Sequence, residues 1–301
     1  MMARTVRTGA VGEAANLIIN ADDYGYFPCV TTGILDCVRL GRVTAVGIMA
    51  NRPWFDEHMA QLRDSPEIDA GVHLVLTTGT PLTPALAAVL PNGRFPGKMA
   101  LAMRVLGRRL DLRLLRDEWR AQIERCLGAG VTVRFLNSHE HIHMLPALLP
   151  LVVELARTYG IHHVRLSVPE WPAQWSPGAL LRDVALSLLA RRDRVALAMP
   201  TLPLLGMAQS GRLDLTRLRR IIAAIRPGSS AELMCHPGRC PTDEQIEPAT
   251  RAYHNWEGEL RALCDPAFGE LLARHGVRLI RYRDLPASAE PVATPAAVTA
   301  R

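Results

Sequence analysis

Short apolar runs alternate with longer stretches of helical period along this chain. Asn16–Asn20 (NLIIN) reads as a buried strand, followed by a helix over Cys29–Leu40 that stops at Gly41. The same pattern predicts strands at Val43–Met49, Ala70–Leu76, Val133–Asn137, His163–Ser167, Ala231–Cys235 and Val277–Tyr282. Helical period marks Pro53–Arg63, Met99–Leu127, Pro146–Tyr159, Ala179–Arg191, Asp214–Ile225 and Trp256–Arg274. A Gly/Pro-rich loop, Thr77–Lys98, interrupts the series, and its length suits a lid. Strands alternating with helices predict an α/β protein with a mostly parallel sheet. About seven βα units favour a distorted, TIM-barrel-like (β/α) barrel over an open doubly wound sheet. One domain over residues 1–285 then accounts for most of the 301, with an Ala/Pro-rich segment, 286–301, as a disordered tail.

Composition narrows the classes. Hydrophobic residues make up 49% of the chain, enough for a large core and too many for a disordered one. Aromatics, at 5%, are too sparse for a base-stacking surface. The net charge of +6 leaves an anionic partner open. Seven arginines within Arg104–Arg125 sit among leucines in helical period, with no RNA-binding motif beside them. They read as a charged outer face or lid, and no nucleic-acid partner is expected. No apolar signal-peptide core precedes Leu17, and no uninterrupted apolar run reaches the ~18 residues of a membrane span. Cysteines 29, 37, 126, 235, 240 and 264 form no CxxC pair, so reduced thiols in a cytoplasmic protein are expected.

Chemistry-bearing residues gather where the predicted strands end, which is where parallel α/β folds place their sites. Asp22-Asp23 follows the first strand. Two adjacent carboxylates suit a division of labour, one holding a cation and one accepting a proton from water, although Asp with Gly25 is also ordinary turn chemistry. His73 lies inside an apolar strand, as a hydrogen-bonded core histidine or as a ligand; Gly71 removes bulk from the same strand face. Ser138–His143 (SHEHIH) holds three histidines in five positions and matches HExxH. That motif requires a helix. A strand precedes the segment and Pro146 follows it, so a zincin site is rejected. A loop would instead offer His139 to a metal, with His141 or His143 near substrate or supporting the ligands. His236 ends a late strand before Pro237-Gly238, as a surface turn residue or, beside a metal, a general acid. Arg165 and Glu170 are either substrate contacts or a solvated strand end. No Walker loop, GxGxxG or GxSxG is present.

Taken in order, NADDYG, GVHLVLTTGTPL, NSHEHIHMLP, VRLSVPE and CHPG resemble the YdjC-like carbohydrate deacetylase family, which includes chitooligosaccharide deacetylases; the resemblance runs from about Leu17 to Leu285. It implies a distorted (β/α)-barrel hydrolase that uses one divalent cation, Mg2+ or Zn2+, to remove acetyl groups from N-acetylated amino sugars. It also implies Asp23, His73 and His139 as metal ligands, Asp22 as base and His236 as acid. The family's stretch is often SHHHVH, and Glu140 departs from it, which bears on substrate contacts more than on metal binding. Some relatives act in hopanoid biosynthesis on a sugar carried by a lipid, and the Leu/Arg-rich C-terminal half suits such a glycolipid. Peripheral membrane contact and a homodimer are compatible with this reading. The rivals are phosphoester hydrolysis or non-haem iron oxygenation at the same site, or a non-enzymatic basic protein that binds membrane or nucleic acid.

Overall fold

Apolar runs become strands buried on both faces, as all-parallel sheets require. The structure, a computed structural model, describes residues 14–167, 201–240 and 246–285. Its eight strands are β1 (Ala15–Tyr24), β2 (Ala45–Ile48), β3 (Asp69–Leu74), β4 (Val133–Ser138), β5 (His163–Val164), β6 (Leu204–Leu205), β7 (Ser230–Cys235) and β8 (Val277–Leu279). All pair in parallel, in the order β5-β4-β3-β2-β1-β7-β6, while β8 pairs the first residues of β1. The result is the expected (β/α) barrel-like fold. All seven predicted strands take part; β6, at two residues, is too short to show a period.

The two faces of β1 explain where polar groups can live. Leu17, Ile19 and Ala21 join the large core between sheet and helices. The alternate positions face the barrel interior: Ile18 packs with Ala45, Phe135, Ile280 and Tyr282, and above it come Asn20 and Asp22. Phe135 and Tyr282 stack with ring centroids 4.4 Å apart. The interior therefore runs from apolar, near the N-terminal end of β1, to polar at its carboxyl end. At Gly71 a Cβ would lie 2.5 Å from the Phe135 carbonyl oxygen, so glycine here permits the close approach of β3 to β4.

The described helices are α1 (Pro28–Arg39), α2 (Phe55–Arg63), α3 (Pro84–Val89), α4 (Lys98–Leu106), α5 (Leu112–Gly128), α6 (Leu149–Thr158), α7 (Leu215–Ala224), α8 (Pro248–Tyr253), α9 (Trp256–Cys264) and α10 (Pro266–Arg274). Two predicted helices are each divided. Met99–Leu127 breaks where Arg108 takes φ +53° and Asp111 caps the next helix by accepting from the Arg113 amide at 2.8 Å. Trp256–Arg274 breaks at Asp265, which caps Ala267, with Pro266 unable to donate to the preceding turn. The Thr77–Lys98 segment contains α3 and is tied down. Glu118 of α5 accepts from the Leu82 and Thr83 amides and the Thr83 hydroxyl at 2.8–3.0 Å.

One expectation is corrected. Cys29 and Cys240 form a disulfide that joins the start of α1 to the turn after β7; Cys37, Cys126, Cys235 and Cys264 are free. Nothing in the sequence spacing signalled this pair, because 211 residues separate its members and only the barrel brings them together. No described helix is long and apolar enough to cross a membrane. The predicted helix at 179–191, the tail at 286–301 and Glu170 lie outside the described residues.

Candidate active site

At the carboxyl ends of the strands lies a cavity of about 500 Å³, lined by Asp22, Asp23, His73, His139, His141 and His236 among others. In a regular strand Asp22 and Asp23 would point to opposite faces. The β1–β2 register slips between Ala21 and Tyr24, and Asp23 adopts φ +67°. This irregularity turns both carboxylates toward one cavity. A left-handed non-glycine residue is uncommon, and such backbone concentrates at functional sites.

Asp23 is the hub of one cluster. Its Oδ1 lies 3.2 Å from His73 Nε2 and 2.9 Å from His139 Nδ1, and one ligand atom from each of the three residues falls within 4.8 Å of the others. Asp23 Oδ2 is buried with no partner among the described residues. Burial pushes the Asp23 carboxyl up, but His139 and His73 hold it well below the usual range. Burial alone would lower His139; Asp23 raises it instead. His73 is oriented from behind, where Nδ1 donates to Asn137 Oδ1 at 2.8 Å and leaves Nε2 facing Asp23. Two imidazoles, one carboxylate and an unused carboxylate oxygen fit a borderline divalent cation with open positions.

Asp22 belongs to a second cluster, in the barrel interior. Arg165 grips it with Nη1 at 2.5 Å from Oδ2 and Nη2 at 3.0 Å from Oδ1, and Asn137 Nδ2 donates to Oδ1 at 2.8 Å. The same guanidinium reaches Glu232 Oε1, with Nε at 2.8 Å, and Glu232 also accepts from Asn20. Burial raises the Asp22 carboxyl, yet Arg165 and His73 bring it down to about 2. Asn137 thus joins the two clusters. Below them Gly47 leaves the needed space: a Cβ there would lie 3.3 Å from both Asp22 Oδ1 and His73 Cβ.

His236 arrives from the other side of β1, on the turn after β7. Its amide donates to Glu259 Oε2 at 2.6 Å, while Glu259 Oε1 accepts from the Leu213 amide at 3.2 Å. His236 Nδ1 is buried, 4.0 Å from Glu259 and without a hydrogen-bond partner among the described residues. His254, stacked on Trp256, places its ring 5.2 Å from that of His236.

The remaining histidines divide. Glu140 and His141 take φ +54° and +56°, so the SHEHIH segment is a tight turn and its HExxH match has no helix to work on. His141 lines the cavity and meets Ser167 Oγ at 2.8 Å. His143 was offered to substrate or a supporting role by its sequence; the structure buries it beneath the site, where Nε2 donates to the Arg165 carbonyl at 2.8 Å and Nδ1 meets Ser138 Oγ at 2.5 Å. Arg165, also read as a substrate contact, has its guanidinium committed to Asp22 and Glu232 and does not line the cavity. Asn137, Glu232 and Glu259 went unread as site residues. Their signal was a polar side chain in an otherwise apolar strand or helix face, which does not by itself name a partner.

The fold and the site together define a barrel-like α/β protein with an Asp-His-His cluster beside a buried, arginine-held aspartate. The chain belongs to the YdjC-like protein family, whose model matches residues 16–274. It is 34% identical over 268 residues to a carbohydrate deacetylase of Geobacillus stearothermophilus, covering 89% of this chain and 96% of that one. It is also 34% identical over 271 residues to a chitooligosaccharide deacetylase of Klebsiella pneumoniae, with 89% and 98% covered. A human carbohydrate deacetylase is 31% identical over 297 residues, with 89% and 90% covered. Among solved structures, a candidate cellobiose-phosphate cleavage protein of Enterococcus faecalis shares the fold, with a TM-score of 0.68, 24% identity, and 90% of this chain and 98% of that one covered.

Proposed function

We propose that the chain is a divalent-metal-dependent N-deacetylase acting on acetylated amino sugars. The observation that carries this reading is Asp23, His73 and His139 converging within 4.8 Å beside Asp22, in one cavity. The carbohydrate deacetylases to which the chain is similar support the substrate class. Asp23 through its carboxylate, His73 through Nε2 and His139 would hold the cation. When bound, it supplies a Lewis acid for the attacking water and the acetyl carbonyl.

The chain's own residues do the proton work. Arg165 keeps Asp22 ionised and fixed in orientation, so it stands ready to accept a proton from water as attack proceeds. His236 sits on the other wall of β1 and delivers a proton to the amine as the C–N bond breaks, because an unprotonated amide nitrogen is a poor leaving group. Glu259 holds the His236 backbone in place. His141 and Tyr26 stand at the cavity wall, where a sugar would rest.

An acetate-release assay across chitooligosaccharides and N-acetylglucosaminyl lipids, with and without divalent metals, tests this reading and separates sugar from lipid aglycones. Full acetate release by metal-stripped His139→Ala protein would sink it. Phosphate release in place of acetate, or a strict need for oxygen, would move the site to one of the rival chemistries.

A further inference from the structure

Of the seven large hydrophobic side chains that stand well exposed among the described residues, the three most exposed share one helix. Met99, Met103 and Leu106 of α4 are 73%, 67% and 63% exposed. At 100° per residue they fall within one narrow stripe, directed away from Leu101 and Val105, which α4 buries against the core. Among the described residues, this stripe takes no part in the packing of α4 against the core. Basic residues flank it at both ends: Lys98 at the start, and Arg104, Arg108 and Arg109 toward the finish. No acidic side chain among the described residues pairs with any of the four; the nearest in sequence, Asp111, is taken by Arg113.

We propose that α4 is an interfacial docking helix that seats the protein on an anionic phospholipid surface. Apolar side chains on one face with cations around them are what an amphipathic helix presents to headgroups and acyl chains. The charge also decides between occupants. A second copy of the same face would set four cations against four, whereas an anionic bilayer neutralises them. The position gives the contact a use. Lys98 lines the cavity of the proposed active site, α4 packs on the 139–144 turn, and Tyr253, 52% exposed, stands at the same cavity. Docking through α4 therefore brings the cavity mouth beside the headgroups. The inference does not rest on the proposed reaction, because vesicle binding decides it whatever the acetate assay shows.

Co-sedimentation of the full chain with vesicles tests it. The protein should pellet with phosphatidylcholine vesicles containing phosphatidylglycerol, should stay in solution with phosphatidylcholine alone, and should be released by high salt. Met99→Gln/Met103→Gln/Leu106→Gln should lower partitioning by ~10-fold or more, since three apolar side chains no longer bury. Its melting temperature and its acetate release from a water-soluble chitooligosaccharide should not change. Arg104→Gln/Arg108→Gln/Arg109→Gln keeps the stripe and should also lose binding, which guards against a triple variant that fails to fold. Absence of vesicle binding, binding that survives both variants, or a dimer that the apolar variant dissolves without any vesicle binding would each overturn the proposal.

Discussion

Asp22 and Asp23 are chain neighbours with different surroundings, and the difference comes from their partners. Asp22 is held by Arg165 and Asn137, while Asp23 Oδ2 has no hydrogen-bond partner among the described residues. Removing the arginine strands two buried carboxylates, Asp22 and Glu232, in one low-dielectric interior. Arg165→Met should therefore destabilise the fold by about 3–5 kcal/mol, measured by urea unfolding. It should also depress acetate release, and replacement by lysine should recover only part of either. A loss below ~1 kcal/mol would mean that the network holds little of the barrel together. His236→Ala should leave metal affinity intact and lower kcat by about 10²–10⁴-fold, the usual contribution of a positioned acid. At this scale the sequence showed Asp22, Asp23, His73, His139, His141 and His236 among the residues that line the cavity, because aspartates and histidines at strand ends stand out against apolar runs; His254 and Tyr26, which line it too, did not stand out. It did not show Asn137, Glu232 or Glu259, whose meaning depends on partners as far as 212 residues away.

Elements were legible where one periodicity ran without interruption. The strands emerged at their expected places, β1 extending four residues further than expected, through the Asp-Asp irregularity to Tyr24. A register slip at the rim of a sheet has no hydrophobic signature, so the backbone that turns both aspartates inward could not be read in advance. Helix boundaries failed where local capping overrode a continuous amphipathic pattern, at Asp111 and Asp265. The long Thr77–Lys98 excursion is better anchored than its Gly/Pro content suggested, through the three bonds to Glu118. Glu118→Ala leaves those donors unmet and should lower stability by about 1–3 kcal/mol. Limited proteolysis of the variant should cut first within residues 77–98. Cleavage no faster than in the parent protein would show that the buried Leu86 anchor is sufficient without the carboxylate.

The whole molecule carries its pH response in buried histidines. Burial holds His143 down at about 4 and His254 at about 3, and keeps His141 well below its usual value. Below pH ~6.5 the unfolded chain binds protons that these folded sites refuse, so stability should fall as pH drops from 6.5 toward 4. Asp22 adds stability above the ordinary carboxylate range that disappears only as pH falls toward 2. In chelated protein His139 runs the opposite way, stabilising at low pH and less so as pH rises through its raised value. Urea midpoints between pH 4 and 7 should still rise with pH, because the histidines that burial lowers, which also include His58 and His163, outnumber His139 and the raised Glu259; a flat profile would contradict their burial as neutral groups. The Cys29–Cys240 bond should make thiol titration of the unfolded, unreduced chain count four of its six cysteines. Reduction should lower the melting temperature by an amount corresponding to about 2–4 kcal/mol.

The fold class was legible from the alternation of strands and helices and the family from the order of motifs, whereas the interior network and the disulfide required three dimensions. The positive charge also acquires a location, since part of it borders the apolar stripe of α4. The most direct test of the proposed chemistry is acetate release from an N-acetylglucosamine oligosaccharide by the parent protein and by His139→Ala, each after chelation and after metal add-back. The parent should fall to background on chelation and recover on add-back, with the variant at background throughout. Acetate release that persists in the chelated parent and in the chelated variant would contradict a metal-dependent deacetylase built on Asp23, His73 and His139.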